Sequence, residues 1–313
     1  MYINAISHYL PSTTVGNEHY TELNGLTDEW IFKRSGIRQR TRATDAENAH
    51  TMAIDAITPL VGKLPYQIAD VDLIVGATYT PYDTVGTLAH AMQGHFNIPR
   101  AVAVTITSAC SSFVNAIEIV EGYFATGKAT KALVIASEHN FAYIEDDDRS
   151  GHLWGDGAGC AFISAGRCSP DDIEVVDVHT SGLGHIGKGI GAVNLRPSNG
   201  GLTMPHGRDV FVHACNFMAA EARDITEKNA YSLGDIDYLI PHQANARIMG
   251  HVAKALGLDN SRVISNIEDT GNTGCASTVI CLSQNWERFI KNDLIVITVF
   301  GGGYSSGAML LRK

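Results

Sequence analysis

Residues 70–75 read DVDLIV, and residues 235–240 repeat the pattern as DIDYLI. A cysteine follows each segment at the same distance, because 110 − 70 and 275 − 235 both equal 40 for Cys110 and Cys275. Each segment is short, apolar and rich in β-branched residues, which favours a buried β-strand. The echo predicts two copies of one α/β unit. Chance similarity is the alternative, because one pair of short strands is weak evidence.

Further strand candidates alternate with helical patterns, which predicts a mostly parallel sheet covered by helices on both faces. The strand candidates include AVAVTIT, KALVIASE, RVISNI and DLIVITVF, and helical spacing occupies residues 212–229 and 246–256. If two copies pack together, equivalent helix starts meet near a central axis. That packing would bring Cys110 close to loops of the second copy.

The overall composition argues against several classes of function. The chain has 313 residues, of which 45% are hydrophobic and 18% charged, enough for a large core in one or two domains. A net charge of −10 argues against a general attraction to nucleic acid or to anionic membranes. Neither a membrane span nor a signal peptide is predicted. The six cysteines are scattered without a C-x-x-C pair, so we expect free thiols in a reducing cytoplasm.

Cys110 lies in TSACSSF, residues 107–113, directly after a β-branched run. A free cysteine is most often a small packing residue, and the local sequence alone favours that interpretation. At a helix N-terminus, however, unpaired N–H groups favour a thiolate. Small neighbours would leave room for a substrate, so Cys110 is also a candidate nucleophile for acyl transfer.

Three other segments carry candidate site residues. His242 follows a strand in LIPHQANARI, where ligands usually bind in such sheets, and a helix cap is the alternative. Asn272 in GNTG offers either an amide donor or a turn residue. The glycines of FGGGYSSG, residues 300–307, permit close approach to a ligand or form a turn. GDGAG, residues 155–159, lacks the lysine of a phosphate-binding P-loop, which argues against nucleotide hydrolysis.

Taken together and in this order, these segments resemble the thiolase-fold condensing enzymes, and most closely the β-ketoacyl-acyl carrier protein synthase III family. TDEWIFKRSGIRQR, residues 27–40, looks like that family's N-terminal signature, and GDGAG, PHQANARI, GNT and FGGG follow at the expected places. The resemblance covers essentially the whole chain. It implies a homodimer with an α/β fold of five layers, αβαβα, built from two similar halves. Residues 1–165 would carry the cysteine, and residues 166–313 would carry the histidine and the asparagine.

The resemblance also implies roles for individual residues. Cys110, His242 and Asn272 would form a catalytic triad, and the backbone N–H groups of Cys110 and Gly302 would form an oxyanion hole. Coenzyme A would bind at Trp30, Arg34 and Arg149. The carrier protein would dock at Arg247. The acyl pocket would include Val85 and Phe211. Without the resemblance, each of these arginines is interpreted as a solvated surface charge.

The implied reaction is a decarboxylative Claisen condensation that begins fatty acid synthesis. Cys110 takes an acyl group from acyl-CoA, and His242 and Asn272 donate hydrogen bonds to malonyl-acyl carrier protein as CO2 leaves. The enolate attacks the acyl group and gives a 3-ketoacyl thioester, without a metal or redox cofactor. A non-catalytic partner subunit is disfavoured because all three residues are present. Acyl transfer to an amine or alcohol is another alternative, but that reaction would not need the hydrogen bond that Asn272 donates to the malonyl thioester.

Two departures from the family pattern leave the acyl donor open. Ser111 and Ser112 follow the nucleophile where the family commonly has Ala-Gly, and Val85 falls about where a phenylalanine can limit the acyl pocket. A smaller residue there would accommodate a longer or bulkier acyl group. The alternative function is therefore the same chemistry in a specialised lipid or polyketide pathway of the aryl-polyene, dialkylresorcinol or quinolone type. Cys275 is interpreted as a packing residue.

Overall fold

The structure, a computed structural model, describes residues 1–145 and 148–313, and its main feature is a nine-stranded mixed sheet. The strands are β1 (Tyr2–Tyr9), β2 (Thr13–Gly16), β3 (Gln39–Arg42), β4 (Leu73–Ala77), β5 (Val102–Ile106), β6 (Lys131–Glu138), β7 (Gly157–Ser164), β8 (Ile173–Gly182), β9 (Asn194–Arg196), β10 (Gly201–Thr203), β11 (Tyr238–Pro241), β12 (Leu294–Gly301) and β13 (Ser305–Arg312). The helices of the described residues are α1 (Asn17–Asn24), α2 (Asp28–Ser35), α3 (Ala49–Ile57), α4 (Leu88–His95), α5 (Ser112–Ala125), α6 (Gly207–Lys228), α7 (Ala246–Leu256), α8 (Ile267–Thr270) and α9 (Ser277–Gln284). None of these helices is long and apolar enough to cross a lipid bilayer.

The order of strands across the large sheet separates two parts of the chain. The first part contributes β1 and β4–β7, and the second part contributes β8 and β11–β13. That order is β11-β12-β13-β8-β1-β7-β6-β4-β5. Strands β1 and β8 join the two parts through only two residue pairs, whereas β13 pairs with β8 over eight. The predicted boundary between residues 165 and 166 falls between β7 and β8.

The strands of the two parts follow the same order and sense, which explains the sequence echo. In the first part, antiparallel pairs β1–β7 and β7–β6 are followed by parallel pairs β6–β4 and β4–β5. In the second part, β8–β13 and β13–β12 are antiparallel and β12–β11 is parallel. A parallel bridge from Leu239 to Val263 takes the place of the β4–β5 pairing. The echoing segments DVDLIV and DIDYLI lead into the equivalent strands β4 and β11.

Helices α5 and α9 lie between the two parts of the sheet. Helix α5 contacts β4 and β6 on one side and β8 and β13 on the other, and α9 contacts β1, β7 and β11. Helices α3 and α4 cover the outer face of the first part, and α6 and α7 cover the outer face of the second. The layers are therefore αβαβα, which confirms the predicted five-layered architecture. Residues 277–282 of α9 are all buried, as expected for a helix that is enclosed on both sides.

The structure corrects two expectations and confirms two others. The sheet is mixed rather than mostly parallel, with five antiparallel and three parallel pairs, because helical crossovers connect only some of its strands. RVISNI forms one bridge instead of a strand, because the segment then turns away to bond with the side chain of Gln243. The helical pattern at 246–256 coincides with α7, and the pattern at 212–229 overlaps α6.

Gly155 joins loops from the two parts of the chain and gives a stability prediction. Its N–H donates to the carbonyl of Asn272 at 3.0 Å, and a Cβ built on it would lie 2.0 Å from the carbonyl oxygen of Thr270. We expect Gly155→Ala to lower the free energy of unfolding by about 3 kcal/mol, because backbone blocks the added methyl. Urea denaturation measures this change.

Gly122 provides the matched control for this substitution. It lies inside α5, and no atom lies within 4 Å of a Cβ built there. Gly122→Ala is therefore expected to raise the free energy of unfolding by about 0.5–1 kcal/mol. Equal effects of the two substitutions would contradict the close contact at Gly155.

Candidate active site

A tight turn after β5 places Cys110 two residues before α5 begins at Ser112. Ala109 has a φ of +50°, in the left-handed region that residues with a Cβ rarely adopt. The Ser112 hydroxyl accepts a hydrogen bond from the Ser108 N–H at 2.7 Å and donates to the Ala109 carbonyl at 2.6 Å. Ser111 is fully buried and lies 2.7 Å from the Ser305 hydroxyl of the second part. The two serines thus hold the strained turn, and neither lines the cavity described below.

The glycine-rich end of β12 packs directly against this turn. A Cβ on Gly301 would lie 2.9 Å from both the Cys110 nitrogen and the Ser108 oxygen, so only glycine permits this contact. The backbone N–H groups of Cys110 and Gly302 both lie close enough to the Cys110 sulfur to act against the rise in the pKa of its thiol. These are the two donors predicted for an oxyanion hole, and the structure brings them together.

His242 is buried at the carboxyl end of β11. Its backbone N–H donates to the Thr298 carbonyl at 2.8 Å, and Nδ1 lies 2.8 Å from the Ser277 hydroxyl. Ser277 also accepts a long hydrogen bond, 3.4 Å, from the Gln243 N–H. We expect the Ser277 hydroxyl to donate to Nδ1, which leaves the proton of the neutral ring on Nε2. Burial lowers the pKa of His242 to about 4, so the ring is neutral near pH 7.

Asn272 follows the short helix α8 at a turn that backbone hydrogen bonds fix on both sides. Its N–H donates to the Leu153 carbonyl at 2.9 Å, and its carbonyl accepts from Gly155. Its side-chain oxygen accepts from the Gly274 N–H at 3.0 Å. Among the described residues no acceptor binds the side-chain NH2 group, which therefore remains a donor for a ligand.

Cys110, His242 and Asn272 line one cavity of about 250 Å³. Most of its remaining wall is apolar and comes from the second part of the chain. The larger apolar residues that the second part contributes to this wall are Ile190, Val193, Leu195, Leu202, Met204, Val210, Met218, Ile248 and Phe300. A nucleophile and two hydrogen-bond donors therefore face a space suited to an apolar chain.

The electrostatic surroundings keep the Cys110 thiol protonated at rest. Although its side chain reaches the cavity, protein surrounds it, and this burial together with the charge of Glu138 raises the pKa of the thiol to about 12. Glu138 is fully buried, and burial raises the pKa of its carboxyl to about 7. The expected stabilisation of a thiolate by the N-terminus of α5 is thus outweighed. Hydrogen bonds from Tyr79 and the two backbone N–H groups act in the opposite direction.

The GDGAG segment forms hydrogen bonds that support the fold. The Asp156 carboxylate accepts hydrogen bonds from the backbone N–H groups of Ala43 and Phe141 at 2.8 and 3.1 Å. Its carbonyl accepts from the Thr41 hydroxyl at 2.6 Å. Together with the Gly155 contact, these bonds fix the loop that precedes β7.

The residues predicted to bind coenzyme A and carrier protein lie in two surface clefts. Trp30, Arg34 and Arg247 line one cleft, and the Arg34 guanidinium carbon stands 4.1 Å from the centre of the Trp30 ring. Arg149 lines the other cleft together with His152, whose ring centre is 5.5 Å from that of Trp30. Met204 lines both this second cleft and the central cavity, so the two are adjacent.

The two residues predicted for the acyl pocket do not line the cavity of this chain. Val85 is 87% exposed. Phe211 contacts His251 and Arg247, whereas its neighbour Val210 lines the cavity, because successive residues of α6 point about 100° apart. Val210 thus occupies the place in the cavity wall that was expected for Phe211, and Val85 lies outside the cavity.

Comparison with known proteins identifies similar sequences over the whole chain. The family model described as 3-oxoacyl-[acyl-carrier-protein (ACP)] synthase III matches residues 104–184, and the model of the corresponding C-terminal region matches residues 226–313. The β-ketoacyl-[acyl-carrier-protein] synthase III of Azobacteroides pseudotrichonymphae is 32% identical, covering 99% of this chain and 96% of that protein. The enzyme of the same name from Rhodospirillum centenum is 34% identical, covering 97% and 96%.

Solved structures of similar fold also match this chain over nearly its whole length. The crystal structure of 3-oxoacyl-[acyl-carrier-protein] synthase III from Aquifex aeolicus superposes with a TM-score of 0.92 at 31% identity, covering 100% of this chain and 99% of that one. The priming β-ketosynthase of the R1128 polyketide biosynthetic pathway superposes with a TM-score of 0.89 at 28% identity, covering 99% and 95%.

The hydrogen bond between Ser277 and His242 predicts the protonation state of the ring. In NMR of the protein labelled with 15N-histidine, His242 is expected to stay neutral, with its proton on Nε2, from pH 6 to pH 8. Its signals are identified by their loss in His242→Gln. Ser277→Ala is expected to give a mixture of the two neutral tautomers, because the donor to Nδ1 is lost.

His179 is the internal reference for this titration. Its hydrogen bond to Glu221 raises the pKa of its ring above 6.5, so His179 is expected to lose its proton within or above the same pH range. A midpoint for His242 between pH 6 and pH 7 would contradict the effect of burial described here.

Proposed function

The chain belongs to the 3-oxoacyl-[acyl-carrier-protein] synthase III family, and from this premise we propose that its cavity joins an acyl group from acyl-CoA to the malonyl unit of malonyl-acyl carrier protein. The family consists of condensing acyltransferases, and its members supply the first carbon–carbon bond of fatty acid synthesis. The observation that carries the proposal is that one cavity holds Cys110, the N–H groups beside it, His242 and Asn272.

The first half-reaction transfers the acyl group to Cys110. Its sulfur attacks the thioester carbonyl, and the N–H groups of Cys110 and Gly302 donate to the oxygen that becomes negative. The bond to the CoA sulfur then breaks, and the proton lost by Cys110 ends on CoA. Because the resting thiol is protonated, these donors are needed while the sulfur carries charge.

The second half-reaction uses the two neutral donors of the second part. His242 Nε2–H and the Asn272 side-chain NH2 donate to the carbonyl oxygen of the malonyl thioester, and they stabilise the enolate left when CO2 departs. The enolate carbon attacks the acyl group on Cys110, and the sulfur leaves and regains a proton. No electron enters or leaves the protein, so we propose that the reaction needs no metal or redox cofactor.

The two surface clefts carry the positive charge that would bind the phosphates of coenzyme A and the acidic carrier protein. Arg34 and Arg247 are exposed, and neither pairs with a carboxylate in the part of the chain that the structure describes. We propose that Trp30, Arg34 and Arg149 bind the coenzyme A nucleotide, and that Arg247 contributes to docking of the acidic carrier protein. On a chain with a net charge of −10, such a local basic surface is the arrangement that an acidic partner needs.

A specialised pathway is the second candidate for the acyl donor. The wall of the cavity is apolar, and Val85 is a small, exposed residue that we propose reaches the acyl group bound by a second chain. The similarity to a polyketide priming synthase shows that this fold also serves such pathways. The chemistry at Cys110 would be the same with a longer or bulkier acyl group.

We propose that the protein works as a homodimer formed through β5. This strand is the last of the sheet, and no other strand of the described residues pairs with its outer edge. It reads VAVTI, Val102 is 47% exposed, and Tyr82 and Val85 are exposed nearby. An unpaired apolar edge strand is prone to pair with another chain. Two copies related by a two-fold axis would pair β5 antiparallel, and the partner's Val85 could then reach the acyl group.

We also propose a reducing compartment, the cytoplasm, for this protein. All six cysteines are free, as the scattered spacing predicts. Proteins that are exposed to oxidising compartments tend to pair such cysteines in disulfides.

Analytical ultracentrifugation tests the homodimer. We expect the wild type to sediment at twice the chain mass of 33.6 kDa, and Val85→Asp to shift it towards the mass of one chain, because two charges would be buried without partners. Ile290→Asp is the control, because Ile290 is 69% exposed near the opposite end of the sheet. A wild type of single-chain mass would refute the dimer.

Intact-protein mass spectrometry tests the reaction. The wild type is mixed with acyl-CoAs from acetyl to decanoyl and with aromatic ones, and we expect an acyl adduct that Cys110→Ala abolishes. Acetyl loading supports the fatty-acid role, whereas loading only by longer or unusual groups supports the specialised pathway. Absence of any adduct that depends on Cys110 would refute the enzyme as proposed.

Variants of the two donors separate loading from condensation. His242→Ala and Asn272→Ala are expected to lower CO2 release from malonyl-acyl carrier protein by at least about 100-fold. They should leave loading of Cys110 nearly unchanged, since they act in the second half-reaction. Cys168→Ala, at an exposed thiol, is the control and should change neither step.

A further inference from the structure

Tyr79 lies between the nucleophile and the turn that carries Asn272, and no step described above uses it. The residue follows β4, is enclosed by protein and lines the same cavity as Cys110. A Cβ on Gly274 would lie 2.4 Å from the Tyr79 hydroxyl oxygen and 2.8 Å from its ring. The phenol therefore packs directly on the Gly274 backbone, whose N–H holds the Asn272 side chain.

The Tyr79 hydroxyl has one proton and two neighbouring acceptors. It donates to the Asn140 side-chain oxygen at 2.8 Å, and Tyr79 lines the same cavity as Cys110, whose thiol pKa the hydroxyl acts to lower. While Cys110 is a thiol, its S–H can donate to the phenol oxygen, and the phenol keeps its bond to Asn140. Once Cys110 is a thiolate, the charged sulfur becomes the stronger acceptor for the same proton.

The other ionisable groups around Cys110 explain why the charged sulfur needs a hydrogen bond from Tyr79. The ionisable groups that face the sulfur are Tyr79 from the loop after β4, Glu138 at the end of β6, Cys275 before α9, and His242 after β11. Glu138 opposes a negative charge on the sulfur, and buried Cys275 donates its own proton to Glu138 at 2.8 Å. The Nδ1 atom of His242 is hydrogen bonded to Ser277, and its Nε2–H donates to the malonyl substrate in the proposed function. Among these side chains, Tyr79 is the donor available to the sulfur.

We propose that Tyr79 is a positioning residue for the nucleophile, and that its hydroxyl turns from Asn140 to the Cys110 sulfur when the thiol loses its proton. The hydrogen bond stabilises the charged sulfur at the start of acyl transfer and again when the ketoacyl product leaves. No covalent bond of Tyr79 changes. The inference rests on the proposed function only in taking Cys110 as the nucleophile.

Alkylation of Cys110 by iodoacetamide between pH 7 and pH 10 tests the proposal, with peptide mass mapping to follow this thiol alone. Tyr79→Phe keeps the ring and removes the hydroxyl. We expect alkylation to be about threefold to tenfold slower at every pH, because the loss of thiolate outweighs the higher nucleophilicity of a more basic sulfur. A profile that superposes on that of the wild type would overturn the proposal.

Tyr66→Phe is the matched control. Tyr66 also donates its hydroxyl to an asparagine side chain, Asn4 at 3.1 Å, but it does not line the cavity. Its alkylation profile should superpose on that of the wild type. An equal slowing in both variants would show a general effect of lost tyrosine hydroxyls and would overturn the role of Tyr79.

Asn140→Ala tests the same hydrogen bond with the opposite sign. Without the competing acceptor, the Tyr79 proton is available to the sulfur at all times, and we expect alkylation to be about twofold faster. Slower alkylation in this variant would contradict the exchange, even if Tyr79→Phe failed to fold.

The outcome is independent of the identity of the acyl donor. If no acyl-CoA loads the wild type while Tyr79→Phe still slows alkylation, the inference about Tyr79 stands and the proposed function fails. If acyl-CoA loads Cys110 and the alkylation profiles superpose, the proposed function stands and the role of Tyr79 fails.

Discussion

The contact between the end of β12 and the turn at Cys110 is the constraint on which the rest of the structure depends. It requires glycine at 301, because a Cβ would lie 2.9 Å from backbone atoms of Cys110 and Ser108. The same contact brings the Gly302 N–H to the sulfur and lets Ser305 bond with Ser111. Cys110 comes from one part of the chain, whereas Gly302, His242 and Asn272 come from the other, so neither part holds all the residues that line the cavity. Packing of α5 and α9 between the two parts fixes this alignment.

Burial gives this site its chemical character. It raises the pKa of Cys110 and lowers that of His242, so both side chains are uncharged near pH 7 and the resting cavity avoids isolated ions. In the proposed reaction, charge develops only on the sulfur or on a substrate oxygen, and the backbone N–H groups of Cys110 and Gly302 are already fixed beside the sulfur. Preorganised donors of this kind stabilise transient charge without having to reorganise at the moment of reaction.

Much of the fold and the site could be predicted from the sequence. The echo between DVDLIV and DIDYLI corresponds to equivalent strands, and the motifs around Cys110, His242 and Asn272 converge on one cavity. The mixed sense of the sheet could not be predicted, because strands such as β7, GAGCAFIS, consist largely of small residues without a distinct apolar pattern. Tyr79 and Ser277 were missed because their partners lie about 30 or more residues away in the chain. Glu138 was hidden inside a strand and becomes important only through three-dimensional contacts.

The repeat is unequal at its two ends, and this asymmetry limits how the protein can assemble. The first part ends in a full strand, β5, whose outer edge is unpaired, whereas the second part has only the bridge at Val263 in the equivalent place. A sheet with two such open edges could add chains at both ends and grow into a filament. The opposite end of the sheet is β11, a strand of four residues of which three are buried, and Val263 forms a bridge on its outer side. If two chains pair through β5, this opposite end offers no equally open strand, and we expect assembly by this route to stop at a closed pair.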